Sequence, residues 1–158
     1  MPGENFVYLT KERLVELEKE LKEMKTNGRK EIAAKIAEAR AHGDLSENAE
    51  YEAAKEEQGL FELKLSKLEN TLSRARIIDK LQFPQGQVHI LSKVKIKNMK
   101  TKKVFDYLLV SPEESDFQEG KVSITSPVGK GLMGAKLGDK IKVKAPAGLL
   151  EFEILNID

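Results

Sequence analysis

The chain has 158 residues, with 27 Lys and Arg against 26 Asp and Glu, a formal net charge of +1, and no cysteine. That length suits one ordinary domain or two small ones. The missing thiols exclude disulfides, thiolate metal sites and Cys nucleophiles, and near neutrality excludes a polybasic nucleic-acid binder. No apolar run approaches the roughly 20 residues of a membrane span, and residues 1–10 lack the basic-then-apolar form of a signal peptide. A cytoplasmic protein with no membrane contact is expected. The charge is mildly split: residues 1–79 hold 14 basic and 17 acidic side chains, residues 80–158 hold 13 and 9. Contact with nucleic acid would have to be local or pass through a partner.

From Thr10, a plausible N-cap, Leu14, Leu17, Leu21 and Met24 recur at helical spacing. The rhythm blurs at Thr26-Asn27-Gly28, where a kink or short break is expected because Gly costs about 1 kcal/mol against Ala in a helix. It resumes at Ile32, Ile36 and Ala39 and stops at His42-Gly43, Gly being a common terminator. A second segment carries Tyr51, Ala54, Gln58, Phe61, Leu65, Leu68, Leu72 and Ala75 in alternating steps of three and four, a heptad seam with one polar member. Two long amphipathic helices joined by a turn of a few residues fold back antiparallel, so residues 1–78 are expected to form a coiled-coil hairpin with an acidic tip.

Beyond Ile77 the period changes to two. Val88, Ile90, Val94 and Ile96 share one parity within 87–97. Residues 103–111, 122–124, 141–143 and 150–154 supply further strands. Ser126 followed by Pro127 is a strong helix start. Residues 79–158 are therefore expected to be a small α+β globule. It shows no catalytic constellation.

The tip reads His42-Gly43-Asp44-Leu45-Ser46-Glu47-Asn48. Asp44 and Glu47, three apart, suit a capping-box variant at the start of the second helix. They also suit a carboxylate pair for metal binding or general-base work, and D-x-x-E alone does not choose. Two carboxylates supply two oxygen ligands where Mg²⁺ takes about six, so such a pair makes sense only as a donor to another protein's site. Ser46 and Asn48 can hydrogen-bond the turn. Tyr51 suits packing on the seam or stacking near RNA. Arg40 and Lys55 suit a solvated helix face or contacts to phosphates. His42 and His89 stand isolated and carry no assigned role.

Residues 36–58 (IAEARAHGDLSENAEYEAAKEEQ) resemble the tip signature of GreA-type bacterial transcription elongation factors. Residues 126–134 (SPVGKGLMG) with Leu137-Gly138-Asp139 resemble the C-terminal domain of the same family. The resemblance covers the chain from about Leu9 onward. It implies a coiled-coil hairpin followed by an FKBP-like domain that docks on RNA polymerase. It also implies entry of the hairpin into the polymerase secondary channel, with Asp44 and Glu47 helping to hold a shared Mg²⁺ while the polymerase cuts its own backtracked transcript. The implied partners are bacterial RNA polymerase and the nascent RNA 3′ end, with a weak DNA contact. Arg40 and Lys55 match basic positions near the family's tip. A monomer with no cofactor of its own is expected. Two rivals remain at this stage: a channel-binding inhibitor of the same fold, and a coiled-coil chaperone with an FKBP-like domain. The polar tip lacks the greasy residues the second would need. A free-standing metal hydrolase would have to cut RNA unaided. The FKBP-like fold alone does not imply prolyl isomerase activity.

Overall fold

The computed structural model describes residues 5–41 and 49–158. By internal contacts the chain divides into a helical unit, residues 12–74, and a sheet unit that joins residues up to 11 with residues 75–158. This grouping differs from a division at residue 78, because the extreme N-terminal strand belongs with the second half. Val7–Leu9 (β1) pairs in parallel with Ala75–Ile77 (β2). Val7 and Leu9 are fully buried, and the Ser111 hydroxyl accepts from the Tyr8 amide at 2.9 Å.

In the helical unit, α1 (Lys11–Glu23) and α2 (Arg29–Arg40) are joined by a π-helical segment, Met24–Gly28. The backbone stays right-handed helical through Glu23, Gly28 and Arg29. The expected break is therefore a local widening of one continuous helix. Within it the Thr26 hydroxyl donates to the Lys22 carbonyl at 2.9 Å. Such back-bonding competes with the regular ladder, and single π turns absorb the mismatch.

The antiparallel partner is α3, Ala49–Ser73, about 37 Å long at 1.5 Å per residue. Leu17, Met24, Ile32, Ile36 and Ala39 are buried on the first run, Ala54 and Leu65 on α3. Tyr51, Gln58, Phe61, Leu68 and Leu72 are half-buried along the same seam. Ala75, expected as its last member, lies in β2 instead, because α3 ends at Ser73, where Arg74 turns back to hydrogen-bond Asn70.

Gly28 has a packing reason. A Cβ at this position would lie 2.8 and 2.9 Å from the ring of Phe61. We expect Gly28→Ala to forfeit the roughly 1 kcal/mol of helix propensity that alanine normally brings. In a Phe61→Leu background the same substitution should recover it, giving a favourable coupling of about 1 kcal/mol in a double-mutant cycle of thermal or urea unfolding.

The sheet unit carries a five-stranded sheet in the order β5-β4-β3-β7-β6. Its strands are β3 (Lys93–Asn98), β4 (Val104–Val110), β5 (Lys121–Ser123), β6 (Lys140–Ala145) and β7 (Gly148–Ile157). All pairs are antiparallel except β4 with β5. Val94, Ile96, Leu109, Val143, Phe152 and Ile154 point to one face and build the core with Leu132 of α4, Pro127–Leu132. As the Ser-Pro pair predicts, Ser126 caps this helix by accepting from the Gly129 amide at 3.0 Å. The expected strand over 87–97 begins only at Lys93. Leu91 takes a left-handed φ of 69°, which ends any extended run before it, although Val88 and Ile90 are buried as their pattern requires.

Candidate functional site

Both acids singled out by the sequence, Asp44 and Glu47, lie outside the described residues, as do Ser46, Asn48 and His42. What the structure supplies is the support on which the stretch 42–48 is mounted. α2 and α3 meet in an antiparallel register. Gly28 faces Phe61, Arg29 Nε bonds Glu62 Oε1 at 3.1 Å, and Lys35 Nζ bonds Glu57 Oε1 at 2.8 Å. Further from the tip, Lys25 Nζ reaches Glu69 Oε1 at 3.5 Å. The antiparallel register thus runs from Lys25–Glu69 at one end, through the Gly28–Phe61 and Arg29–Glu62 contacts, to Lys35–Glu57 at the other.

Ile32, Ile36, Ala39 and Ala54 form one buried cluster, with Tyr51 and Phe61 packed against it. The alanines Ala39 and Ala54 stand nearest the end of the seam that leads to residues 42–48, with the isoleucines further back. This packing fixes the ends of α2 and α3 without needing a broad core.

The ion pairs along the outer edges are exposed, and each acts mainly on register. The Arg29 guanidinium holds the Glu62 carboxyl below its ordinary value, chiefly by hydrogen bonding and then by charge. A depressed carboxylate contributes stability that is fully present above its unfolded value, about 4.5, and lost as pH falls through the folded value. We expect Glu62→Gln to flatten the acid limb of hairpin unfolding below pH 4.5 and leave its alkaline limb unchanged, measured by helical ellipticity across pH at low salt.

Of the remaining candidates, the structure brings Arg40 and Tyr51 together. The Arg40 guanidinium carbon sits 5.7 Å from the centroid of the Tyr51 ring, a cation–π distance. The ring itself packs on the seam, so its packing role is visible. Lys55 extends from the exposed side of α3, with Nζ 2.9 Å from Gln58 Oε1. It is not paired with Arg40. Among the described residues no cluster of three or more His, Asp or Glu is arranged to hold a metal, and no helix is long and apolar enough to cross a membrane. His89 stacks on Phe83 at 4.2 Å and its Nδ1 lies 2.6 Å from the Ile90 carbonyl, a packing environment that accounts for it.

Sequence reasoning missed the β1–β2 pair and the Gly28–Phe61 approach. The run Phe6-Val7-Tyr8-Leu9 was the one available signal for the first.

The sequence profile described as "Transcription elongation factor, N-terminal" matches residues 7–77. That described as "Transcription elongation factor, GreA/GreB, C-term" matches residues 83–158. The chain is 53% identical over 154 residues to transcription elongation factor GreA of Amoebophilus asiaticus, covering 98% of each protein. It is 50% identical over 153 residues to the factor of the same name from Chlorobium phaeobacteroides strain BS1, covering 96% of each. A solved structure of GreA factor homolog 1 from Thermus thermophilus is 28% identical, covers 97% of this chain and 99% of its own, and superposes with a TM-score of 0.44.

Proposed function

The chain belongs to the GreA/GreB family of transcription elongation factors, and from that premise we propose that it acts on backtracked RNA polymerase by presenting Asp44 and Glu47 to the polymerase catalytic centre. It is a transcription elongation factor whose target is RNA polymerase, and its effect is to stimulate cleavage of the nascent RNA. The observation that carries the detailed reading is the antiparallel register of α2 and α3. The stretch bearing both acids is the link between two helices that already meet side by side, so it belongs to one end of the pair.

The donor set fits a divalent cation shared between proteins. Two hard carboxylate oxygens match Mg²⁺, and the remaining ligands would come from the polymerase. When bound there, such an ion supplies charge neutralisation at the scissile phosphate and a more acidic water. Asp44 and Glu47 would contribute oxygens and orient the attacking water. Ser46 and Asn48 would hold the turn. Arg40 and Lys55 would meet the phosphates of the extruded 3′ segment, Arg40 leaving the Tyr51 ring on which it rests. The sheet unit would dock on the polymerase surface. The bond-breaking centre belongs to the polymerase, so the chain is a trans-acting donor, and the compartment this requires is the cytoplasm.

The test is a transcript-cleavage assay on a halted, backtracked bacterial elongation complex carrying 5′-labelled RNA. Adding the chain should shorten the RNA from its 3′ end and restore extension by nucleotides. The chain with RNA and Mg²⁺ but without polymerase should cut nothing. Shortening without polymerase would make it a hydrolase, and polymerase binding that slows extension without cleavage would make it an inhibitor.

A further inference from the structure

α3 carries a second stripe besides its seam. Ala53, Glu56, Leu60, Leu63, Lys67 and Asn70 recur in steps of three and four, a heptad spacing. At about 100° per residue they lie on the side of the helix roughly opposite the seam. All six are exposed. Leu60 and Leu63, at its centre, are 62% and 52% exposed, so nothing among the described residues covers them. Glu56 lies one step from this pair on the side of residues 42–48, and Lys67 one step on the other side. The ion pairs that α3 makes with the first helical run use Glu57, Glu62 and Glu69, and Glu56 and Lys67 take part in none of them. Gly59 borders the stripe, and a Cβ there would meet nothing within 4 Å. Glycine weakens an exposed helix interior, and no contact among the described residues accounts for it here.

We propose that this stripe is the contact surface for a second copy of the chain, packed antiparallel about a two-fold axis that passes between Leu60 and Leu63. Charge complementarity selects the occupant, because the stripe is complementary to its own reverse. Turning one copy end for end sets Glu56 opposite the partner's Lys67, Leu60 opposite the partner's Leu63, and Gly59 opposite the partner's Lys64. The two-fold axis makes each of these contacts occur twice, so two ion pairs flank four leucines. Parallel packing would set Glu56 against the partner's Glu56 and Lys67 against the partner's Lys67, and like charges in apposition reject it. The missing Cβ of Gly59 gives the stem of the partner's Lys64 room to lie against the helix backbone. One helix face offers less than the roughly 800 Å² per partner of a standard interface. The pair is therefore weak, with a dissociation constant on the order of 100 µM, and the chain is a monomer when dilute. This surface needs none of residues 42–48, and its failure would leave the transcript-cleavage reading untouched.

Sedimentation equilibrium of the full chain at low salt, from about 10 µM to about 1 mM, tests it. The wild type should pass from monomer to dimer across this range. Glu56→Lys and Lys67→Glu each set like charges opposite one another and should weaken self-association by about 10-fold or more. An equimolar mixture of the two variants should associate as the wild type does, because both ion pairs re-form between unlike copies. Leu60→Gln/Leu63→Gln should stay monomeric, and circular dichroism should show every variant as helical as the wild type. The chain has no cysteine, so Leu60→Cys mixed with Leu63→Cys reads the geometry: the mixed disulfide should form faster than the disulfide of either variant alone. A wild type that stays monomeric to about 1 mM would overturn the proposal. So would a charge-variant mixture that associates no better than its components, or faster disulfide formation within either single variant. A monomeric wild type whose polymerase binding is lost in Leu60→Gln/Leu63→Gln would assign the stripe to the polymerase and overturn the proposal as well.

Discussion

Alanine in place of Asp44 or Glu47 should lower stimulated transcript cleavage by about 100-fold or more while leaving polymerase binding within a factor of about two. The magnitude follows from removing one preorganised charged group from a centre where phosphoryl charge builds up, where single such groups are worth about 10² to 10³ in rate. Retention of binding follows from the position of the acids: the helices that frame them are held by Ile32, Ile36, Ala39 and Ala54, none of which is touched. If each acid gives one or two oxygens to a shared cation, as proposed, the Mg²⁺ concentration for half-maximal cleavage should rise in both variants. Asp44→Asn should lose nearly as much as Asp44→Ala, because the amide keeps the shape and loses the charge. If the pair served only as a helix cap, Asp44→Asn would be close to neutral, asparagine being as good a cap as aspartate. The assay is cleavage of 5′-labelled RNA in a halted, backtracked complex at several Mg²⁺ concentrations, alongside a binding measurement for each variant.

Gly129→Ala should destabilise the sheet unit by about 3 kcal/mol, at the upper end of the usual overpacking cost. A Cβ on this residue of α4 would stand 2.0 Å from the Ser123 carbonyl oxygen and 2.9 Å from its carbon. These are backbone atoms of β5, so the helix itself must move. Moving it loosens the hydrogen bond from the Gly129 amide to the Ser126 cap and withdraws Leu132, which is fully buried, from the core. Two other glycines provide controls. Gly131→Ala would meet the Val143 Cγ2 at 2.9 Å, a side-chain atom that can shift, so its cost should be about 1 kcal/mol. Gly59→Ala meets nothing within 4 Å on an exposed turn of α3 and should stabilise by about 0.5 to 1 kcal/mol through helix propensity. Scanning calorimetry should place the Gly129→Ala transition of the sheet unit at least about 10 °C below wild type, using the usual 4–8 °C per kcal/mol for a domain of this size.

How far the sequence reveals the molecule depends on the length over which a period repeats. The α3 seam runs from Tyr51 to Leu72, long enough for every member to appear at least half-buried. The Ser126-Pro127 start was equally legible, because a cap is a local chemical event. The β1–β2 pair was not. Three residues carry almost no period, and the parallel partner of Val7 lies at Ala75, a separation that no local signal encodes. Gly28 was legible as an anomaly but not as a contact, since the ring it accommodates comes from the opposite helix. Val88 and Ile90 show the reverse error. Their parity continues that of Val94, yet Leu91 turns the chain, and burial was mistaken for extension. The roles of Asp44 and Glu47 came from the motif around them, while the packing of Tyr51 against the Ile36–Ala39 cluster needed three dimensions.

The central claim is that the end of the α2–α3 pair, and not the sheet unit, reaches the reacting RNA. A photo-crosslinking residue placed at Ser46 tests this directly in a backtracked elongation complex. Crosslinks to the extruded 3′ segment of the RNA and to the polymerase catalytic centre, weakened when the RNA is not backtracked, are the expected result. Crosslinks confined to the chain's own sheet unit, or to the outer polymerase surface, would contradict it.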